Sequence, residues 1–465
     1  MTEKIEKYNS FIGHPIDQIE SVIGTSENAQ YLQGYLKEIR ATFCIEEKNY
    51  VDKEFLIDYS MFYSRSFDDI NKYTTRLHFF MTAITEAKIF DIMDNFPKKD
   101  YRDEELKKIN DNYLGFVVVK PVSGSDKQPL LGRMLLKPYP HEDGEELREH
   151  LKQFYPVSLY GLPLKIESLP FQMQDQSVGA CATTSCWVSL YALNDLFGTS
   201  IHALAEITEK STTFPGLSRN FPSSGLSVFQ IKNFYNSIGF ETEFLDINPK
   251  IISEYGEEYP IIPILVKAYV DFGLPILACL QLHKIAPDYE QHAAVISGYR
   301  HKNGVVKEFY AHDDRIGPYS KIEPSSLDPK KLFIDWKCGW QNKKYDAEHN
   351  KNFTNVRVES LIIPIYAKLR LRFIDIYVIF KQYIKDTKDL DPSMSYELIL
   401  KDINEYKLFL LEKTFPEKKK ILMRRFPKYL WIIRVSSDTI VVNDRIFDAT
   451  CNYQDGDPFE DIYFS

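Results

Sequence analysis

The sequence predicts an α+β protein, and three observations lead to that class. Helical and strand-like segments occur in blocks, not in the alternating strand–helix rhythm of a doubly wound sheet. In the middle third, the strand-like runs GLPILACLQL, HAAVISGYR and VVKEFYAHDD follow one another directly. The last two are separated by Asn303-Gly304, a strong short-range signal for a two-residue hairpin and so for antiparallel pairing.

The elements are expected in this order. Residues 1–165 form an N-terminal α+β accessory region, with charged helical segments followed by strands YLGFVVVKPV (113–122) and GRMLLKPYP (132–140) joined by an exposed hairpin. Residues 166–345 form the central domain. It opens with a long helix from the Cys181 region and the Ser/Gly/Pro-rich loop TTFPGLSRNFPSSGLS. A second helix, SVFQIKNFYNSIG, has Ile231, Phe234, Tyr235 and Ile238 at helical spacing and Gly239 in C-cap position. The three strands then follow. Residues 346–465 form a C-terminal α+β accessory region with strand ESLIIPIY, helices, and a short β segment near WIIRVSS. No solenoid repeat or low-complexity tract interrupts this plan.

Composition excludes several classes. At 465 residues and 44% hydrophobic, the chain can bury a large core in two or three domains. Its formal charge of −9 is dispersed, so the basic patch that nucleic acid requires is missing. The run Lys418 to Lys420 reads as a solvated helix end. MTEKIEKYNS lacks the apolar centre of a secretory signal. The apolar window FIDIYVIF is short and flanked by Arg370, Arg372 and Lys381. It reads as a buried helix, since a membrane span needs about 20 apolar residues. The six cysteines, Cys44, Cys181, Cys186, Cys279, Cys338 and Cys451, form no CxxC pair, so reduced thiols and a cytoplasmic location are the expectation.

The chemistry centres on QDQSVGACATTSCW, residues 174–187. Reading back from Gly198 as a helix stop, Ala182, Cys186, Leu190, Leu193 and Phe197 form one core-facing stripe. Cys181 lies about 140° away around the helix, in its first turn. A helix N-terminus favours the thiolate, whereas a thiol buried deeper behaves as a small hydrophobe. Both cysteines serving only as core residues is the bland alternative. His292, opening an apolar strand, is the candidate base. If Asn303-Gly304 forms a two-residue turn, Lys302 faces Val305 and opposed residues sum to 607. Ala294 then faces Asp313, which becomes the diagonal neighbour of His292, while His312 and Asp314 point the other way. A one-residue slip would exchange Asp313 and Asp314.

Gln176 five residues before a helix-start Cys181, then HAAVISGY, then a strand ending in Asp313, resembles the papain-fold cysteine peptidases. The likeness is nearest to the bacterial branch that includes bacteriocin-processing double-glycine peptidases and phytochelatin synthases. It covers roughly residues 166–320 and implies a papain-like domain between the accessory regions. It further implies Cys181 as nucleophile, His292 as base, Asp313 as its orienting carboxylate and Gln176 as oxyanion donor. The sequence departs from the pattern in two places. Gln176 lies slightly nearer the cysteine than is usual, which leaves Gln174 as an alternative, and Ala182 follows Cys181 where processing peptidases often have Gly. SCW also echoes a papain-type motif, keeping Cys186 as an alternative nucleophile.

A metal held by Cys181, Cys186, His292 and Asp313 lacks recognisable ligand spacing, and SSGLS lacks the lysine of a phosphate loop. No cofactor, metal, nucleic acid or membrane partner is expected. The expected partner is a peptide or protein substrate, with a regulatory protein as a further option for flanks in a chain holding 30 Tyr and 31 Phe. Three readings follow: a cysteine peptidase, a deamidase or acyl/peptidyl transferase using the same triad, and a catalytically inert interaction module.

Overall fold

Strands too apolar to leave a face in water set the architecture. Ile276–Leu280, His292–Tyr299 and Ser360–Ile365 are continuously buried runs, and each must be covered on both sides. They lie in a mixed α+β protein with antiparallel sheets. The computed structural model describes every residue except 1–9, 68, 125–126, 142–145, 176–179, 214–224, 256–258, 286–287, 303, 325–333, 347, 389–390, 392, 438–439, 453–456 and 465.

Six strands close on themselves: Ile276–His283, Tyr289–Lys302, Val305–Asp313, Gly317–Pro324, Ile334–Cys338 and Asn355–Tyr366. Each pairs antiparallel with the next, and the last returns to pair with the first. Closure satisfies the backbone groups that an open edge would leave unpaired. Strand Glu146–His150 adds beside Tyr289–Lys302, and Phe240–Asp246 adds beside Asn355–Tyr366. The sheet therefore crosses both boundaries expected from the sequence, taking one strand from before residue 166 and one from beyond 345. The apolar stretch within ESLIIPIY is buried because it closes the ring, with Leu361 and Ile363 fully inside.

The cysteine helix spans Cys181–Phe197 and ends at Gly198, whose left-handed φ of 70° a residue with a Cβ adopts only with strain. It packs on strand Tyr289–Lys302. Its burial differs from the one-stripe expectation, because every residue from Ala182 to Leu193 is buried. The outer face is covered by helices Lys53–Met61, Leu204–Thr212 and Val228–Ser237. From the first of these, Glu54 accepts a hydrogen bond from Trp187 Nε1 at 2.5 Å. The helix Val228–Ser237 starts with a capping box at Ser227 and Gln230 and is followed by Gly239 at φ 89°.

The N-terminal region carries a five-stranded sheet in which Tyr113–Ser123 pairs with Pro129–Leu136, near the strands expected there. The C-terminal region carries a four-stranded sheet including Tyr429–Ser437. FIDIYVIF lies in helix Phe373–Thr387 and buries Phe373, Ile376, Tyr377 and Phe380. Lys418 to Lys420 open a short helix. Among the described residues, no helix is long and apolar enough to cross a membrane. One hydrophobic cluster runs from Phe55 through the cysteine helix and closed sheet to Trp431.

Leu361, fully buried in the closing strand, tests whether this strand belongs to the cooperative core. Leu361→Ala should destabilise the protein by about 2–5 kcal/mol in chemical denaturation. A loss below about 1 kcal/mol would mean the strand packs only peripherally.

Candidate active site

Cys181 is the first residue of its helix, after Ala180 in extended conformation. No acidic side chain lies in the first turn, and among the described residues no side chain caps it, so the positive end of the helix lies at the sulfur-bearing residue. Cys181 is half-buried, whereas Cys186 is completely buried. Burial pushes the Cys186 thiol up to about 12, with the hydroxyl of Tyr235 opposing the rise. Position along the helix and depth together separate the two cysteines.

His292 and Asp313 meet through the hairpin. Lys302 faces Val305 as expected, but the register then shifts twice, between Arg300 and His301 and between Ile296 and Gly298. The two shifts cancel, so Val295 again faces His312. His292 Nε2 lies 2.9 Å from Asp313 Oδ1, with the two side chains only 1% and 4% exposed. Asp313 Oδ1 also accepts the Arg315 backbone N–H at 3.1 Å, and its Oδ2 accepts Trp340 Nε1–H at 2.7 Å. Trp340, fully buried, sets its ring edge-on to the imidazole, with centroids 4.8 Å apart. The indole thus fixes the carboxylate and covers the histidine.

These contacts decide the charges. Burial opposes a charged imidazole, yet the Asp313 charge and hydrogen bond outweigh it, and His292 holds its proton well above the usual histidine range. The nearness of Cys181 acts in the same direction, as a smaller cause than Asp313. Burial likewise opposes ionisation of Asp313, but His292, Trp340 and the Arg315 N–H hold its carboxyl below the usual range. With Nε2 on Asp313, Nδ1 is the remaining ring nitrogen, buried and without a hydrogen-bond partner among the described residues. Catalytic contacts are often loose in unliganded sites and tighten with substrate.

Asp314 departs from the sequence expectation. Strand alternation would point it away, but the strand ends at Asp313 and the chain turns. Asp314 Oδ1 comes within 3.6 Å of His292 Nε2. Both of its oxygens are buried without a hydrogen-bond partner among the described residues. Burial pushes its carboxyl up to about 7, His292 opposing and Asp313 adding to the rise. His312 does point the other way, bonding Leu169 O at 3.1 Å and the Tyr319 N–H at 3.1 Å. The remaining charges lie across Trp340, with Arg315 and Lys343 on its ring and Glu290 paired to Arg315.

Ligand atoms of His292, Asp313 and Asp314 lie within 4.8 Å of one another, so these three could hold a divalent cation. Three donors, His292, Trp340 and the Arg315 N–H, already engage Asp313, which suits a base and its orienting carboxylate. Cys186, buried beside Tyr235, is not in this cluster. Gln176 lies outside the described residues, and the alternative Gln174 is half-buried in the segment before it. Trp340 was not legible as a site residue. Its only signal is an indole in the polar stretch KCGWQNKKY. No family model matches the chain, and no curated protein matches it in sequence.

The raised Asp314 carboxyl has a consequence for stability. From about pH 4 to about 7 the folded chain keeps a proton that the unfolded chain has released. Asp314 therefore favours folding less as pH rises through that window. Asp314→Asn should gain stability over the native protein on going from pH 5 to pH 8 in scanning calorimetry. A difference that stays constant or narrows would show that Asp314 ionises normally.

Proposed function

We propose that the chain is a thiol hydrolase with a papain-like domain, most simply a cysteine peptidase, acting through Cys181, His292 and Asp313. One observation carries the reading. A half-buried cysteine starts the helix that packs on the strand carrying His292, and that imidazole is bonded to a buried carboxylate at 2.9 Å, the three groups coming from three separate elements. Nucleophile, base and orienting group in that relation define acyl-transfer chemistry. A closed antiparallel sheet with the nucleophile helix packed on it suits the papain-type resemblance.

In the resting pair the Cys181 proton already resides on His292 Nδ1, and the thiolate so formed attacks the substrate carbonyl. His292, kept charged by Asp313, then gives that proton to the departing amine, leaving an acyl thioester on Cys181. Water, deprotonated by the same imidazole, attacks the thioester and restores the free thiol. The Cys181 backbone N–H, and the Gln176 amide that the resemblance implies, would receive the oxyanion. Each such donor is typically worth about 10²–10³ in rate. Replacing water by an amine gives transfer, and a side-chain amide as substrate gives deamidation. All six cysteines are unpaired, which suits a reducing, cytoplasmic setting.

Cys181→Ala and His292→Ala should each reduce cleavage of a broad peptide library by at least about 10³-fold while the fold is retained. Unchanged cleavage in folded variants would refute the assignment. Running the library with added amines separates free termini from new amides.

The positive imidazole beside the sulfur also predicts selective chemistry. Iodoacetamide at pH 6 should label Cys181 and spare Cys186, and His292→Ala should slow that labelling at least tenfold. Absence of labelling at Cys181 would favour the inert module.

A further inference from the structure

Asp313 ends a strand, so the turn after it must hold the carboxylate still. From inside, the carboxylate accepts the Arg315 N–H at 3.1 Å, and the Asp313 carbonyl accepts the Ile316 N–H at 3.0 Å. From outside, the turn meets a helix of the N-terminal region, Glu27–Glu38, nearly 300 residues away in sequence. Asn28 Nδ2 donates to the Arg315 carbonyl at 2.9 Å, and the Tyr31 hydroxyl donates to the Pro318 carbonyl at 2.9 Å. The Tyr31 ring lies so close to Gly317 that a Cβ there would fall 2.2 Å from it. Further along the same helix, Tyr35 stacks on Tyr319 with centroids 5.9 Å apart. Ion pairs Glu27–Lys343 at 3.0 Å and Glu38–Lys321 at 2.6 Å fix its two ends.

Residues 27, 28, 31, 35 and 38 lie on one side of this helix at helical spacing. Asn28 and Tyr31 reach the 315–318 turn, while Glu27, Tyr35 and Glu38 engage Lys343, Tyr319 and Lys321 around it. The Asn28 bond is the critical one, because Arg315 receives it on its carbonyl while its N–H holds Asp313. A continuous series of hydrogen bonds thus runs from Asn28 through Arg315 and Asp313 to His292. Burial, and after it the charges of Glu38 and Asp313, hold the Tyr31 phenol proton, with Tyr139 opposing.

We propose that the Glu27–Glu38 helix is a built-in positioning element of the candidate triad, with Asn28 and Tyr31 as positioning residues acting through the 315–318 turn. The proposal rests on the thiol-hydrolase reading of the same site. It assigns the N-terminal region a part in setting the base, distinct from covering the cleft or recruiting a partner. Loosening the turn lets the carboxylate drift from the imidazole. That weakens the proton affinity of His292 and slows chemistry, while substrate binding is untouched.

The test uses the full chain with Asn28→Ala and Tyr31→Phe, and Lys37→Ala on the exposed side of the same helix as control. Imidazole NMR follows the His292 titration without any substrate. Asn28→Ala should lower its midpoint by about one unit, Tyr31→Phe should lower it by less, and Lys37→Ala should leave it in place. Peptide cleavage should lose about tenfold in kcat for Asn28→Ala with KM unchanged. An unmoved His292 midpoint in both turn-facing variants would overturn the proposal, as would an effect confined to KM or to the unfolding midpoint. A moved midpoint in a protein with no cleavage even in native form would support the positioning role and count against the hydrolase reading instead.

Discussion

A hydrogen-bonded charge pair in a nearly dry interior is the constraint around which this molecule is built. His292 and Asp313 are almost wholly withdrawn from water, and two such charges are expensive to desolvate unless their remaining hydrogen-bonding capacity is met. The carboxylate meets it with three donors from three segments: the imidazole, the Trp340 indole and the Arg315 backbone. Removing any donor leaves Asp313 charged and under-partnered, a larger loss than one average hydrogen bond. The pair is therefore stable only while the strand, the turn and the segment around Trp340 stay in register with one another.

That requirement explains why the regions flanking the candidate domain are woven into it. Closure of the sheet needs Asn355–Tyr366, and the strand bearing His292 is continued at its far end by pairing with Glu146–His150. Part of the cover over the cysteine helix is a helix from the N-terminal region, with Glu54 bonded to Trp187. A fragment cut at residues 166 and 345 would expose a closing seam and an apolar helix face. The chain is better understood as one cooperative body around the site than as a catalytic unit with detachable flanks.

The parts legible in the sequence are those set by local rules. Helix-start position separated Cys181 from Cys186, and the Asn-Gly turn fixed a register that placed Asp313 beside His292. The latter succeeded through an accident of geometry, since two irregularities inside the hairpin compensate. A single uncancelled shift would have brought Asp314 to that position. The same logic failed for Asp314 itself, because alternation stops where a strand stops. Trp340, Asn28 and the closing strand were not legible as parts of the site. Each depends on contacts between distant segments, and nothing in the neighbouring residues distinguishes an indole that serves a carboxylate from one that fills a core.

Asp314 shows how finely the charges must be arranged. It lies close enough to His292 to serve as a second counter-ion, yet its own burial opposes ionisation and its oxygens have no side-chain partner among the described residues. Asp313, equally buried, is ionised because donors converge on it. Two adjacent carboxyls of similar depth thus differ because the His292 charge and the hydrogen bonds act chiefly on Asp313, whose own charge then raises Asp314. One negative charge suffices to hold an imidazolium in place. A second ionised carboxyl would bind the imidazolium proton more tightly still. The raised Asp314 carboxyl therefore leaves the hold on His292 chiefly to Asp313, and the proton-passing role proposed for His292 depends on that hold being a single one.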